Sequence, residues 1–197
     1  MTEKALEFYF DFGSPASYLA YTQLPALCRE TGATLVWKPM LLGGVFQATG
    51  NHSPATIPAK GAYTFIDFGR FAKRYAVSLQ RNPFFPINTL MLMRGAVGLQ
   101  VREPARFGAY VDAIFRAIWV DARNLNDPAA VAAVLQGAAF DPAAVLALTQ
   151  ETEVKDRLKA VTQEAIDRGV FGAPTFFVGD EMFWGQDRLD FVKEALQ

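Results

Sequence analysis

"YFDFGSPASYLAY", residues 9–21, runs an alternating aromatic stretch straight into a helix start. Ser14 stands at the junction with Pro15 behind it. A serine there is an N-cap. Its side-chain oxygen accepts from the amide of Ala16 or Ser17, and proline fills the first helical position, where no amide hydrogen is needed. Whether Ser14 also does chemistry depends on what surrounds the junction.

Outward from it, "ALEFYFDF" alternates and reads as a first strand. "SPASYLAYTQLPALCRETG" reads as a helix capped by Ser14, bent at Pro25 and stopped at Gly32. "ATLVWKPML" reads as a second strand. Strand, helix and strand with short joints form a βαβ unit, so the two strands should be parallel.

From Gly43 to about Arg168 the texture changes. "GGVFQATGNHSPATIPAKG" reads as a long loop. Helical segments follow at roughly 60–76, 87–100, 103–121, 127–137, 141–149 and 151–169. Two of them open with Asp-Pro, at Asp127 and Asp141, each an N-cap with proline in the first turn. Beyond them "TFFV" and "EMFW" flank Gly179-Asp180, a dipeptide suited to a two-residue hairpin. A closing helix is expected from Gln186 onward, with Leu189, Phe191, Val192 and Leu196 on its apolar face.

Composition narrows the chemistry. The 197 residues are 51% hydrophobic, enough for a full core, and the formal net charge is −1. Interspersed charge argues against a nucleic-acid surface or a polybasic membrane anchor. "MTEKALEFYF" has no signal-peptide pattern, and no run reaches the length of a membrane span, so a soluble cytoplasmic protein is the expectation. A single cysteine, Cys28, excludes an intrachain disulfide and a CxxC pair. With one histidine, His52, a Cys/His zinc site lacks ligands, and a Ser-His-Asp triad would have to use His52, which in the polar segment "GNHSP" reads as a solvated loop histidine. The hard chemistry of an enzyme built this way falls to a bound small molecule.

The order β-α-β, helical block, β-β-α, with a proline before the third strand, matches an α/β thioredoxin-like fold with a large all-helical insertion. Residues 1–42 and 170–197 form the discontinuous thioredoxin-like domain, and residues 43–169 the insertion. In that fold the active site is the N-terminus of the first helix, where "SPAS" stands here with serine at both cysteine positions. Dithiol chemistry is thereby excluded. What remains is a hydroxyl and a partial positive charge, a place for an anion or another molecule's thiolate. Ala173-Pro174 occupies the position where such folds carry a cis bond, with a backbone that pairs with an extended ligand.

"FYFDFGSPASY", "GNHSP…PAKG", "FPINTL" and "GVFGAPTFFVGDEMFWGQDRL" together resemble the 2-hydroxychromene-2-carboxylate isomerases. That family is a DsbA-like branch of the thioredoxin superfamily, related to kappa-class glutathione transferases, and the resemblance runs nearly end to end. It implies glutathione as cofactor, a small aromatic oxo-acid as substrate and a homodimer. By position Ser14 matches the family's catalytic serine. Ala173, held by Pro174, matches the residue that pairs with the glutathione backbone. Trp184, Gly185, Gln186 and Asp187 match the γ-glutamyl site, where Asp187 would pair with the ammonium, and Asn51 and Lys60 match polar residues brought from the insertion.

The implied reaction converts 2-hydroxychromene-2-carboxylate to trans-o-hydroxybenzylidenepyruvate or a related aryl-pyruvate. Rotation about a conjugated C=C bond becomes free once a thiolate has added to it, and expulsion restores the alkene. Ser14 would donate to the glutathione sulfur and favour the thiolate. One departure stands out. The resembling enzymes carry basic residues in the loop after the second strand, whereas "LLGGVFQATGNHSPATI" has no Lys or Arg and offers Phe46, Gln47 and His52, with Lys60 or Arg81 as replacements. A kappa-type glutathione transferase and a non-catalytic thioredoxin-like binding module stay open as alternatives.

Overall fold

A computed structural model describes residues 4–197. Its centre is β1 (Ala5–Phe10). Alternation sends Leu6, Phe8 and Phe10 into the main core, while Tyr9 joins Met40 and Phe177 in a second, smaller core. A strand buried on both sides is central, and β1 is. It pairs in parallel with β2 (Thr34–Pro39) and antiparallel with β3 (Thr175–Val178), and β3 pairs antiparallel with β4 (Glu181–Trp184). The strand order is β2-β1-β3-β4. The rings of Phe8, Phe10 and Phe176 stack along this sheet at 5.1 and 5.4 Å.

The crossover helix α1 (Pro15–Thr31) starts at the Ser14 cap and ends on Gly32 in the left-handed region, φ 71°. Pro25 lies within it without interrupting the helix. The inserted segment supplies α3 (Pro58–Tyr75), α4 (Leu90–Arg102), α5 (Pro104–Trp119), α6 (Pro128–Gly137), α7 (Pro142–Gln150) and α8 (Thr152–Asp167). Asp127 and Asp141 cap α6 and α7 by accepting from Ala129 and Ala143, both at 2.9 Å. The main core runs continuously from Phe8 and Phe10 through Phe115 and Trp119 to Leu158.

Two expectations are corrected. The stretch read as loop after β2 contains α2 (Leu42–Thr49) and a 3-10 turn at Pro54–Thr56. Two glycines and the lack of a local side-chain cap concealed α2. Its cap comes from elsewhere: the Asp11 carboxylate accepts from the Leu42 amide at 2.8 Å. The chain's end forms a 3-10 turn at Gln186–Arg188 and then α9 (Leu189–Ala195). On α9, Leu189 and Val192 are buried, as is Leu196 beyond it, but Phe191 is 55% exposed. A helix this short buries only the narrow stripe that meets the core, and Phe191 lies outside it.

Several hydrogen bonds fix the layers that carry the site. Trp119 Nε1 donates to the Phe12 carbonyl at 2.8 Å, clamping the segment between β1 and α1 onto α5. On the opposite face Tyr9 and Lys38 both donate to Glu164 of α8, at 2.7 and 2.8 Å. Arg168 completes this network through Glu7 and Tyr9. Among the described residues no single helix is long and apolar enough to cross a membrane.

Candidate active site

Ser14 reaches its position because β1 leads directly into α1. Its backbone is extended, and its Oγ accepts from the Ser17 amide at 3.0 Å, so the N-cap role is met. The same hydroxyl donates to the Ala173 carbonyl at 2.9 Å. Capping alone does not require that second bond. It joins the N-terminus of α1 to the segment entering β3, across 159 positions of sequence. The Ala173–Pro174 peptide bond is cis, as the fold context predicts.

Both residues line a cavity of about 900 Å³ between the end of β1, α1, α2, α3 and the β4 hairpin. Trp184, Gly185, Gln186, Asp187 and Asn51 line it as well. Asn51 Nδ2 donates to the Phe171 carbonyl at 2.8 Å, and the Gln186 carbonyl accepts from the Tyr75 hydroxyl at 2.9 Å. Asp187 forms an ion pair with its neighbour Arg188. Gly185 adopts φ 102°, and a Cβ there would meet Asp187 Oδ1 at 2.5 Å. A Cβ on Gly172 would meet the Trp184 indole nitrogen at 2.5 Å. The two glycines therefore allow the Trp184 indole and the Asp187 carboxylate to lie closer to the backbone than any side chain would permit.

Pro174 and Lys60 lie outside the cavity wall. Pro174 contributes its carbonyl to the Gly185 amide at 3.0 Å, which sets the approach of the β4 end. The exposed Lys60 sits in the first turns of α3, one residue from the lining Gly61. Arg81 packs its guanidinium over the Phe65 ring at 5.4 Å and does not line the cavity either. Cys28 lies far along α1, and burial raises its thiol above the ordinary range.

Asp11 escaped the sequence reading. It is 2% exposed, and its carboxylate accepts from the amides of Gly13 and Leu42, both at 2.8 Å, and from the Thr89 side chain. Burial raises its carboxyl above the ordinary range, and those three donors oppose the shift. The only signal in sequence was an acid at the end of an otherwise apolar strand, "FYFDF". Of the apolar wall, Phe46 was among the residues the sequence offered, whereas Phe65 and Phe68 come from a segment read only as a helix and Phe85 from a stretch with no assigned element.

Chemically, the site combines one hydroxyl at a helix N-terminus, an accessible carbonyl, an acid at the far end and an aromatic chamber. Among the described residues no group of three or more His, Cys, Asp or Glu is placed to hold a metal ion.

Comparison with known proteins agrees in fold and in family. The DSBA-like thioredoxin domain model matches residues 5–197. A 2-hydroxychromene-2-carboxylate isomerase of Sphingobium xenophagum is 33% identical, with 98% of each chain covered. A glutathione S-transferase kappa 1 of Caenorhabditis elegans is 25% identical, covering 98% of this chain and 90% of its own. The solved structure of a 2-hydroxychromene-2-carboxylate isomerase superposes with a TM-score of 0.86 at 32% identity, over 98% of this chain and 94% of that one.

Proposed function

Because the chain belongs to the DSBA-like thioredoxin domains and, within them, to the 2-hydroxychromene-2-carboxylate isomerase family, we propose that it is a glutathione-dependent cis-trans isomerase of conjugated aryl ketones. Its substrate on this proposal is 2-hydroxychromene-2-carboxylate or a related aryl-pyruvate. The observation that carries the proposal is the Ser14 hydroxyl, placed at the head of α1 and against the Ala173 carbonyl at the cavity wall.

The residues present fit glutathione: Gly172 and Gly185 let Trp184 and Asp187 pack close to the backbone at the cavity edge, and Asp187 supplies a carboxylate for the ammonium. When bound, glutathione would supply the thiolate that adds reversibly to the conjugated carbon and so permits rotation. Ser14 has one proton, and it now points to the Ala173 carbonyl. A ligand amide donating to that carbonyl competes for it and leaves the Ser14 proton free to turn into the cavity. There the hydroxyl and the positive end of α1 favour a thiolate over a thiol. Ser14 is not the nucleophile, since among the described residues no base lies against its Oγ. Its partners are the Ser17 amide and the Ala173 carbonyl. Asn51 orders the cavity rim by holding the Phe171 carbonyl, and the apolar wall excludes water from the reacting bond. Lys60 joins the tripeptide, on this proposal, only by extending from α3 over the rim. A homodimer in the cytoplasm belongs to the same proposal, and sedimentation velocity tests the dimer.

The test is conversion of 2-hydroxychromene-2-carboxylate, followed by absorbance with and without glutathione. Conversion only with glutathione is expected, and equal rates in its absence would refute the cofactor. The likeness to kappa transferases supports a second reading, in which the conjugate is not released. Mass spectrometry of the product separates the two. Failure to bind glutathione at all would leave a non-catalytic module.

A further inference from the structure

A second depression, a groove of about 580 Å³, lies between α2, α4 and α8. Leu42, Gly43, Phe46 and Thr49 of α2 line the proposed active site, whereas Leu41 and Gly44 line the groove. The helix α2 thus stands between the two. It lies close on α8, since a Cβ on Gly44 would meet Thr162 Cγ2 at 3.3 Å. Thr162 fixes that contact. Its hydroxyl accepts from the Leu41 amide at 3.0 Å and donates to the Leu158 carbonyl at 2.7 Å.

The groove has an aliphatic floor and a cationic edge. Leu41, Leu90 and Leu158 make the floor, while Arg94 of α4 and Lys155 and Lys159 of α8 stand around it. Lys159 pairs with Asp156 at 3.6 Å, both side chains being exposed. Arg94 and Lys155 are half-buried. Arg94 meets only the Met91 sulfur, at 3.9 Å, and among the described residues neither cation pairs with a carboxylate. Thioether sulfur is a weak acceptor, whereas a carboxylate accepts from a guanidinium fork at two oxygens. Three like charges around one groove also repel, so an entering anion relieves that repulsion as it gains partners. The leucines add a second demand. An inorganic anion leaves them wet, and an apolar body covers them.

We infer that this groove is a second binding site, one that takes amphiphilic carboxylates. An aromatic or aliphatic body rests on the leucines, and Arg94 and Lys155 hold the carboxylate. The volume falls within the range of small-molecule pockets. The site shares α2 with the proposed active site but does not depend on the reaction proposed there.

The experiment titrates 2-naphthoate into the isotope-labelled wild-type protein and follows it by nuclear magnetic resonance, without glutathione. The uncharged control is 2-naphthylmethanol. Naphthoate should give intermolecular Overhauser contacts to the Leu90 and Leu158 methyl groups, and bind there about tenfold more tightly than the alcohol. No binding, or contacts only to the Phe65 and Phe85 rings of the other cavity, overturns the inference. Equal affinity for the alcohol overturns it as well. Arg94→Gln with Lys155→Gln should weaken naphthoate binding in the groove about tenfold or more, and an unchanged affinity counts against the site. Arg94→Lys with Lys155→Arg keeps both charges and should stay within about threefold of wild type. A loss as large as that of the neutral pair would remove charge as the basis of recognition.

Discussion

The Ser14 hydroxyl and the Ala173 carbonyl lie 2.9 Å apart, and the same hydroxyl oxygen accepts from the Ser17 amide at 3.0 Å. One oxygen thus serves a local role, capping α1, and a long-range one, joining α1 to the entry of β3. Substitution can separate the two.

Ser14→Ala loses both roles and should cost about 1 kcal/mol of stability. Ser14→Gly costs only a few tenths of a kcal/mol as a cap, yet it lacks the hydroxyl. On the proposed mechanism both variants lose about ten- to a thousandfold in turnover. Ultraviolet titration of bound glutathione should show thiolate forming at higher pH in the glycine variant. Full activity with an unshifted titration would mean that Ser14 is a cap and nothing more.

Asp187 and Gly185 act as a unit, since a Cβ on Gly185 would strike Asp187 Oδ1 at 2.5 Å. Asp187→Ala should weaken glutathione binding by about 1–3 kcal/mol, the range for a lost charge-assisted hydrogen bond. Gly185→Ala should weaken it in the same direction by displacing the carboxylate and straining φ 102°. Calorimetry with glutathione checks both, and a wild-type dissociation constant in either variant removes Asp187 from the ligand site.

Asp11 carries a pH signature. Burial raises its folded-state carboxyl above the unfolded value, so the folded protein holds this proton more tightly. Its stabilising contribution is therefore fully present below the unfolded value of about 3.9 and declines as pH rises through the folded one. Asp11→Asn cannot titrate, so wild-type stability minus variant stability should fall as pH increases. Denaturant unfolding of both proteins between pH 3 and 8 reads this difference, and a flat or rising difference contradicts the assigned direction.

Glu164 should behave in the opposite sense. Burial tends to raise its carboxyl, but hydrogen bonds from Lys38 and Tyr9 outweigh this and hold it below the ordinary range. Its contribution is present above the unfolded value and is lost as pH falls through the folded one. Glu164→Gln should destabilise at neutral pH by no more than about 1 kcal/mol, because the side chain is partly exposed, and the deficit should vanish in acid. The same denaturant series measures it.

Cys28 should be a bystander. It lies 14 positions after Ser14 on α1, about 21 Å at 1.5 Å per residue, and burial disfavours its thiolate. Cys28→Ser should keep turnover within a few-fold of wild type, and iodoacetamide should label Cys28 slowly at neutral pH. A hundredfold loss in a folded variant would place the thiol in the mechanism.

Local chemistry was readable wherever a residue acts on its own neighbours. Ser14 with Pro15, Asp127 with Pro128, Asp141 with Pro142, and Gly32 mark helix ends because cap and capped group lie within a few positions. The alternation of Leu6, Phe8 and Phe10 reports a strand face because side-chain direction repeats every two residues. From those signals follow the element order, the thioredoxin-like frame and the place of Ser14 at the head of α1. What lay beyond them depended on partners distant in sequence. The N-terminus of α2 is stabilised by Asp11, 31 positions away, so "LLGGVFQAT" carries no cap of its own and passes for a loop. Whether Phe191 meets the core depends on how α9 docks, and periodicity alone cannot say which stripe is covered. Lys60 stands in a polar segment of the sequence like Asn51, yet only Asn51 reaches the wall, because α3 turns Lys60 to solvent. That Lys60 and Arg81 both stay out of the cavity wall is likewise a tertiary fact, whereas the lack of Lys and Arg in the loop after β2 was already visible in the sequence.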